Sequence, residues 1–163
     1  MAKSKQASRK PIKDGHVFVK NRRAAHEYHI RERLEAGVAL WGSEVKSIRD
    51  GRCSLVEAFC QFHNGELFLL QAHIAEYTQA HMRNHVPLRR RKLLMHKRQL
   101  ERLEDAIHQK GMTVIPLALY AKGGLIKLEI GLCQGKQLHD KRATIKEREQ
   151  KREVDRAIRE ARK

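Results

Sequence analysis

The sequence predicts a mainly β fold: a small antiparallel barrel of about six short strands, accompanied by two or three helices and a basic C-terminal tail. Three observations carry this reading. Short apolar or alternating runs are separated by turn signals, of which Asn64-Gly65 is the strongest. Helical spacing before residue 135 occurs in only two segments, and they do not alternate with strands as a parallel sheet would require. Residues 135–163 combine strong helix formers with few large aliphatics, so they have little to bury.

Composition sets the partners. The chain has 163 residues and is 40 % hydrophobic, enough for one small core plus extensions. Lys and Arg number 35 against 19 acidic residues, a net charge of +16, which is far more than solubility requires. No lipid-facing apolar stripe accompanies the charge, so nucleic acid is expected as the partner and a membrane is not. Cys53, Cys60 and Cys133 have no paired spacing and are expected to be reduced thiols. With no signal-peptide run and no apolar stretch long enough for a bilayer, a cytoplasmic location is expected.

Taken in order, residues 1–20 read as a flexible basic arm, residues 21–134 as the barrel domain and residues 135–163 as the tail. Residues 26–34 alternate Tyr28, Ile30 and Glu32 with polar neighbours; Glu35-Ala36-Gly37 is read as a turn into residues 38–41, making a β-hairpin. A short helix follows over residues 44–50, with Ser43 as its cap and Gly51 as a left-handed stop. Residues 58–63 and 67–74 are the arms of a hairpin about Asn64-Gly65. Residues 75–91 contain Pro87 and begin the run Arg89-Arg90-Arg91-Lys92, and read as a long loop. Leu100, Leu103 and Ile107 recur at helical spacing across residues 97–110, closed by Gly111. Residues 112–120 and 125–131 are strands joined at Gly123-Gly124, with Pro116 predicting an edge or a bulge. Barrels of this composition include the oligonucleotide-binding (OB) fold.

Chemistry-bearing patterns are few. The ten histidines show no metal-ligand spacing, so no metal and no cofactor are expected. No nucleophile elbow or phosphate-cradling glycine loop is present, so no catalytic residue is assigned. The basic groups are more telling: Arg89 to Lys92, Lys122, Lys127 and Lys136 are read as lining one phosphate-binding face. At 5 % aromatic content an extended stacking platform is not expected, although Tyr28, Tyr120 or His139 could each supply a single face. In the tail, Glu147 precedes Lys151 and Asp155 precedes Arg159 by one helical turn, so part of its charge supports a helix. Such a helix is expected to order only when something holds it.

Several stretches together carry a specific resemblance: residues 21–24, Glu35-Ala36-Gly37, residues 42–49, residues 87–94, and Gly135 through His139-Asp140-Lys141-Arg142. From about residue 21 to the C-terminus the chain closely resembles the SsrA-binding protein (small protein B) family of bacterial ribosome rescue. The resemblance implies a six-stranded OB-type barrel that binds the tRNA-like domain of transfer-messenger RNA and is not catalytic. It further implies delivery of that RNA, charged with alanine and accompanied by elongation factor Tu, to ribosomes stalled without a stop codon. The tail would enter the empty messenger channel past the decoding centre and become helical there, and the protein is expected to be a monomer. Positions matching the family's RNA-binding residues are Glu35, Leu94 and Lys127, with Asn21, Arg22, His26, Tyr120 and Lys122 on the surrounding face. Gly135, Lys136, His139, Asp140, Lys141 and Arg142 match the decoding-site segment. Val86 and Gln137 depart from the family's expected Asp and Lys. An acid such as Glu35 on an RNA face either hydrogen-bonds a base or sugar, or orients a neighbouring cation. The rival readings are a general ribosome-assembly factor or RNA chaperone with the same barrel, and a nuclease-like enzyme.

Overall fold

The computed structural model describes residues 13–80 and 84–161, without the side chains of residues 109, 110, 138, 139, 141, 143, 144, 148 and 161. Its elements in order are β1 (Val17–Lys20), α1 (Ala24–Glu27), β2 (Tyr28–Val38), α2 (Gly42–Arg49), β3 (Cys53–Ser54), β4 (Phe59–His63) and β5 (Glu66–Leu70). There follow β6 (His73–Ile74), β7 (Arg91–Leu94), α3 (Lys97–Lys110), β8 (Thr113–Lys122), β9 (Leu125–Gly135) and α4 (Leu138–Ala161). The strands pair antiparallel in the order β8-β4-β5-β7-β2-β9, and β9 returns to β8, which closes a six-stranded ring. Closure satisfies both edges of every strand in the ring, so the expected barrel is present.

The Asn64-Gly65 hairpin forms as the dipeptide predicts, with φ of 50° and 72° at its two central residues. Its second arm is shorter than expected. Gln71 adopts φ 54°, ending β5, and His73–Ile74 pairs with β3 in a separate two-stranded sheet. Helix α3 spans the expected residues, ends on Gly111 in the left-handed conformation, and buries Leu103 fully in the barrel core beside Leu67, Leu93, Leu128 and Ile130. Pro116 sits at a register shift between β8 and β9, the bulge its missing N–H predicts.

Two expectations are corrected here. Residues 26–34 and 38–41 are not arms of a hairpin: β2 runs unbroken through Glu35, Ala36 and Gly37. Gly37 is where β2 passes between neighbours, pairing with Lys127 of β9 on one side and Leu94 of β7 on the other. A Cβ there would lie 3.2 Å from the Leu94 Cβ, so the glycine serves a close approach of strands and not a turn. Order also begins earlier than residue 21, because Val17–Lys20 adds to β8 opposite Tyr120, Leu119 and Ala118. Residues 1–12 of the expected arm lie outside the described residues.

The tail is helical as α4, and its described side chains from Ile145 to Glu160 are exposed. Its large aliphatics Ile145, Val154 and Ile158 are among them. No described helix is long and apolar enough to cross a membrane.

Candidate nucleic-acid interface

The predicted RNA-facing residues divide between two ends of the β2-β9-β8 layer. At one end, Glu35 accepts hydrogen bonds from the Tyr120 hydroxyl and from Lys122 Nζ, the latter at 2.8 Å, both on Oε2. Strand register places Lys127 opposite Tyr120 on β8 and opposite Gly37 on β2, two residues beyond Glu35. The hydrogen bonds from Lys122 and Tyr120 hold the Glu35 carboxyl below its ordinary range against the opposing cost of desolvation, with Lys127 adding to the favourable field. Desolvation, followed by the contact with Glu35, pushes the Tyr120 phenol up, so it stays a protonated donor. Glu35 therefore orients Lys122 and Tyr120, while a carboxylate's second oxygen suits a base amine or a ribose hydroxyl.

Leu94 joins this cluster through the glycine crossing. It is half exposed and lines a groove of about 360 Å³ together with Gly37, Leu40, Val45, Arg49 and Lys127. An apolar floor rimmed by two cations suits an RNA element that presents both a nucleoside face and phosphates. Arg49 was not among the predicted site residues. Its last-turn position on a short helix gave no signal until α2 folded against the β8–β9 turn, where its guanidinium reaches the Gly124 carbonyl at 3.5 Å.

Asn21, Arg22 and His26 lie elsewhere. Asn21 Nδ2 donates to the Pro116 carbonyl at 3.1 Å, its Oδ1 accepts from the Ala24 N–H at 3.2 Å, and its own N–H donates to the Leu117 carbonyl at 2.7 Å. These bonds start α1 and clamp it to the bulged stretch of β8. Arg22 is exposed beside this clasp and His26 is half-buried on α1. At the same end, Lys136 donates its N–H to the Glu27 carbonyl at 2.9 Å and its Nζ to the Ala25 carbonyl at 3.0 Å. Gly135 pairs with Tyr28, and Asp140 Oδ2 lies 3.5 Å from His29 Nε2. Arg142 is exposed, while the side chains of His139 and Lys141 lie outside the described residues. From Lys127 to Gly135, β9 extends about 26 Å at the rise of a strand, so these are separate regions.

The run Arg89-Arg90-Arg91-Lys92 does not form the loop of phosphate ligands that its composition suggests. Arg91 opens β7 and is fully buried, bonded through Nε to Glu44 Oε1 at 2.7 Å and through Nη1 and Nη2 to the carbonyls of Ala72 and Pro87. Arg89 Nη2 meets the other oxygen of Glu44 at 2.5 Å, and Lys92 pairs with Glu66. Glu44 also accepts the Trp41 N–H at 2.7 Å, which caps α2 in place of Ser43. Ser43 Oγ instead contacts Nδ1 of the buried His85 at 2.9 Å. Burial pushes the Glu44 carboxyl up, but the bonds from Arg89, Trp41 and Arg91 outweigh it and leave the group below its ordinary range. Two charges of the run thus hold the scaffold together. Lys136 likewise stands apart from the Lys122–Lys127 face. Among the described residues, no group of three His, Cys, Asp or Glu side chains is placed to hold a metal ion.

Comparison with known proteins follows the same residues. The family model described as SmpB protein matches residues 18–160. The chain belongs to the SmpB family. Similar members of known name are the SsrA-binding proteins of Carboxydothermus hydrogenoformans, 49 % identical over 88 % of this chain and 96 % of that protein, and of Pelotomaculum thermopropionicum, 50 % identical over 88 % and 94 %. The SsrA-binding protein of Clostridium perfringens is 46 % identical over 91 % of this chain and 95 % of its own length. Among solved structures, a chain of "tmRNA-SmpB: a journey to the center of the bacterial ribosome" is similar, with a TM-score of 0.61 and 45 % identity over 74 % of this chain and 85 % of that one. The SmpB-family match begins at Phe18, inside β1, so the family unit takes in most of that strand.

Proposed function

We propose that this chain is the RNA-binding adaptor of trans-translation, taking up the tRNA-like domain of transfer-messenger RNA and bringing it to stalled ribosomes. The observation that carries this is the Glu35-Tyr120-Lys122 cluster beside Lys127 and the Leu94 groove, where fixed donors and an apolar floor share one end of the barrel. A folded RNA offers the matching chemistry of phosphates, ribose hydroxyls and an exposed base, read by shape and backbone more than by sequence. Membership of a family whose named relatives are SsrA-binding proteins supports the choice of RNA.

In this reading Glu35, Lys127 and Leu94 make direct contacts, Tyr120 and Lys122 complete the face, and Asn21, Arg22 and His26 act at the second end, nearer the tail. Gly135, Lys136, His139, Asp140, Lys141 and Arg142 form the segment presented at the decoding centre, and the rest of α4 lies in the empty messenger channel. Elongation factor Tu accompanies the alanine-charged RNA, and no step of catalysis belongs to the protein, which works as a monomer in the cytoplasm. The body, residues 21–134 extended by β1, folds by itself, whereas α4, with its described side chains beyond Arg142 exposed, is held in place only on the ribosome.

Competition binding is the test. Labelled tRNA-like domain on the full chain should resist displacement by an unrelated structured RNA of equal length and charge. Equal displacement by both would favour a general RNA chaperone.

A further inference from the structure

Trp41 is the one tryptophan in the sequence, and it is 54 % exposed, although a ring of this size normally gains most by burial. The Arg89 guanidinium lies 4.7 Å from its ring centroid, within cation–π range. That guanidinium is itself held from behind. Its Nη2 and Nε bond both oxygens of the fully buried Glu44 at 2.5 and 3.2 Å, and Nη2 also reaches the Ala39 carbonyl at 3.3 Å. Glu44 is fixed in turn by Arg91 and by the Trp41 backbone N–H. The exposed ring therefore rests on a cation whose position is set by a buried network, and little side-chain freedom remains to be lost when a ligand arrives.

This shelf adjoins the RNA groove in the chain. Leu40, the preceding residue, lines that groove with Leu94, Arg49 and Lys127. The helix cap uses the Trp41 backbone and not its ring, and Arg89 is held by Glu44 and the Ala39 carbonyl independently of the ring. We infer that Trp41, backed by Arg89, is a stacking site for one unpaired nucleobase of the bound RNA. Tryptophan presents a broad π face to any base, an arginine plane beneath it strengthens the attraction, and the neighbouring cations receive the flanking phosphates. The low aromatic content of the chain points away from a platform for several bases, but a single shelf is sufficient to register one splayed nucleotide against the Glu35–Lys127 cluster.

The inference rests on the adaptor reading, and the experiment separates the two. Because Trp41 is the one tryptophan, the emission of the unaltered full-length chain reports this site alone. Titration with the tRNA-like domain is expected to quench that emission, while a fully paired RNA duplex of equal length, at its own saturation, leaves it unchanged. Trp41→Ala is expected to weaken affinity for the tRNA-like domain about tenfold, with Trp41→Phe recovering it to within about threefold. A thermal melt of each variant checks the fold, which the backbone cap should preserve. Equal quenching by the duplex overturns the stacking site. So does normal RNA affinity of Trp41→Ala in an assay where Lys127→Ala binds weakly, an outcome that leaves the adaptor reading standing. If the unaltered chain shows no preference for the tRNA-like domain, both readings fall together.

Discussion

Single side chains in this protein divide by burial more than by charge. Arg91 and Lys127 look alike in sequence, each in a short basic or apolar run, yet one is sealed against Glu44 and the other stands half-exposed at the groove. Lys127→Ala is expected to weaken binding of the tRNA-like domain and to lower the slope of log affinity against log salt by about one unit, as loss of one phosphate contact requires. An unchanged slope, measured by filter binding across a salt series, would remove Lys127 from the contact set. Arg91→Ala takes from Glu44 its fully buried partner and from the Ala72 and Pro87 carbonyls their donors, and should cost about 3–5 kcal/mol in a urea melt. The same network sets a pH dependence. Glu44 lies below its unfolded value, so its stabilisation is complete above about pH 4.3 and is lost as pH falls through the lower folded value. The stability advantage of the unaltered chain over Glu44→Gln should accordingly be constant from neutral pH to about pH 5 and shrink below about pH 4. A difference that stays flat down to pH 3 would show that the ionised form of Glu44 is not what stabilises the fold.

At the scale of elements, β2 is the piece that organises the interface. It sets Glu35 opposite Glu129 of β9, with its side chain meeting Tyr120 and Lys122 of β8 on the far side of that strand, and pairs with β7 from Gly37 onward. Alternation in residues 28–34 made a strand legible, but Glu35-Ala36-Gly37 has the composition of a turn, and only the presence of Leu94 on the adjacent strand explains the glycine. Gly37→Val places side-chain atoms where Leu94 Cβ and its carbonyl stand, at 3.2 and 3.5 Å from even a first carbon. Forced apart there, β2 and β7 should lose about 1–3 kcal/mol, and RNA affinity should drop with the displaced Leu94. A stable Gly37→Val variant with full RNA affinity would mean the close approach is dispensable. Asn64-Gly65 and α3 were readable for the opposite reason: a two-residue turn and an amphipathic stripe are each encoded within a few neighbouring positions, with no need of a distant partner.

Across the whole molecule, the barrel separates two regions by the length of β9. The Glu35–Lys127 cluster and the Gly135–Lys136 base of the tail lie at its opposite ends. If RNA is taken up at the Glu35–Lys127 end, as proposed, the tail carried from the other end can change its role without disturbing that grip. Truncation after Lys136 should therefore leave affinity for the tRNA-like domain and the melting profile of the body intact while abolishing rescue of stalled ribosomes in a reconstituted translation assay. Loss of RNA affinity on truncation would contradict that division. In the free protein, amides of the described part of α4 beyond Arg142 should exchange far faster than those of β8 and β9, since its exposed aliphatics give the helix no packing to protect it.

Charge balance, turn dipeptides, helical spacing and the poverty of aliphatics in the tail were enough, read along the chain, to establish a small basic β barrel with a weakly packed appendage. Each of those properties resides in neighbouring residues, and the motifs in residues 21–24, 35–37, 42–49, 87–94 and 135–142 placed the chain beside its family. Tertiary structure alone decided which cations are tied into the scaffold and which stand together on the surface. Glu44 withdraws Arg89 and Arg91 from the basic run, and ring closure brings Glu35, Tyr120, Lys122 and Lys127 together while leaving Asn21 and Lys136 at the other end. The reason is physical: the free energy of a charge depends on its distance to partners and to water, and both are set by contacts between residues far apart in sequence.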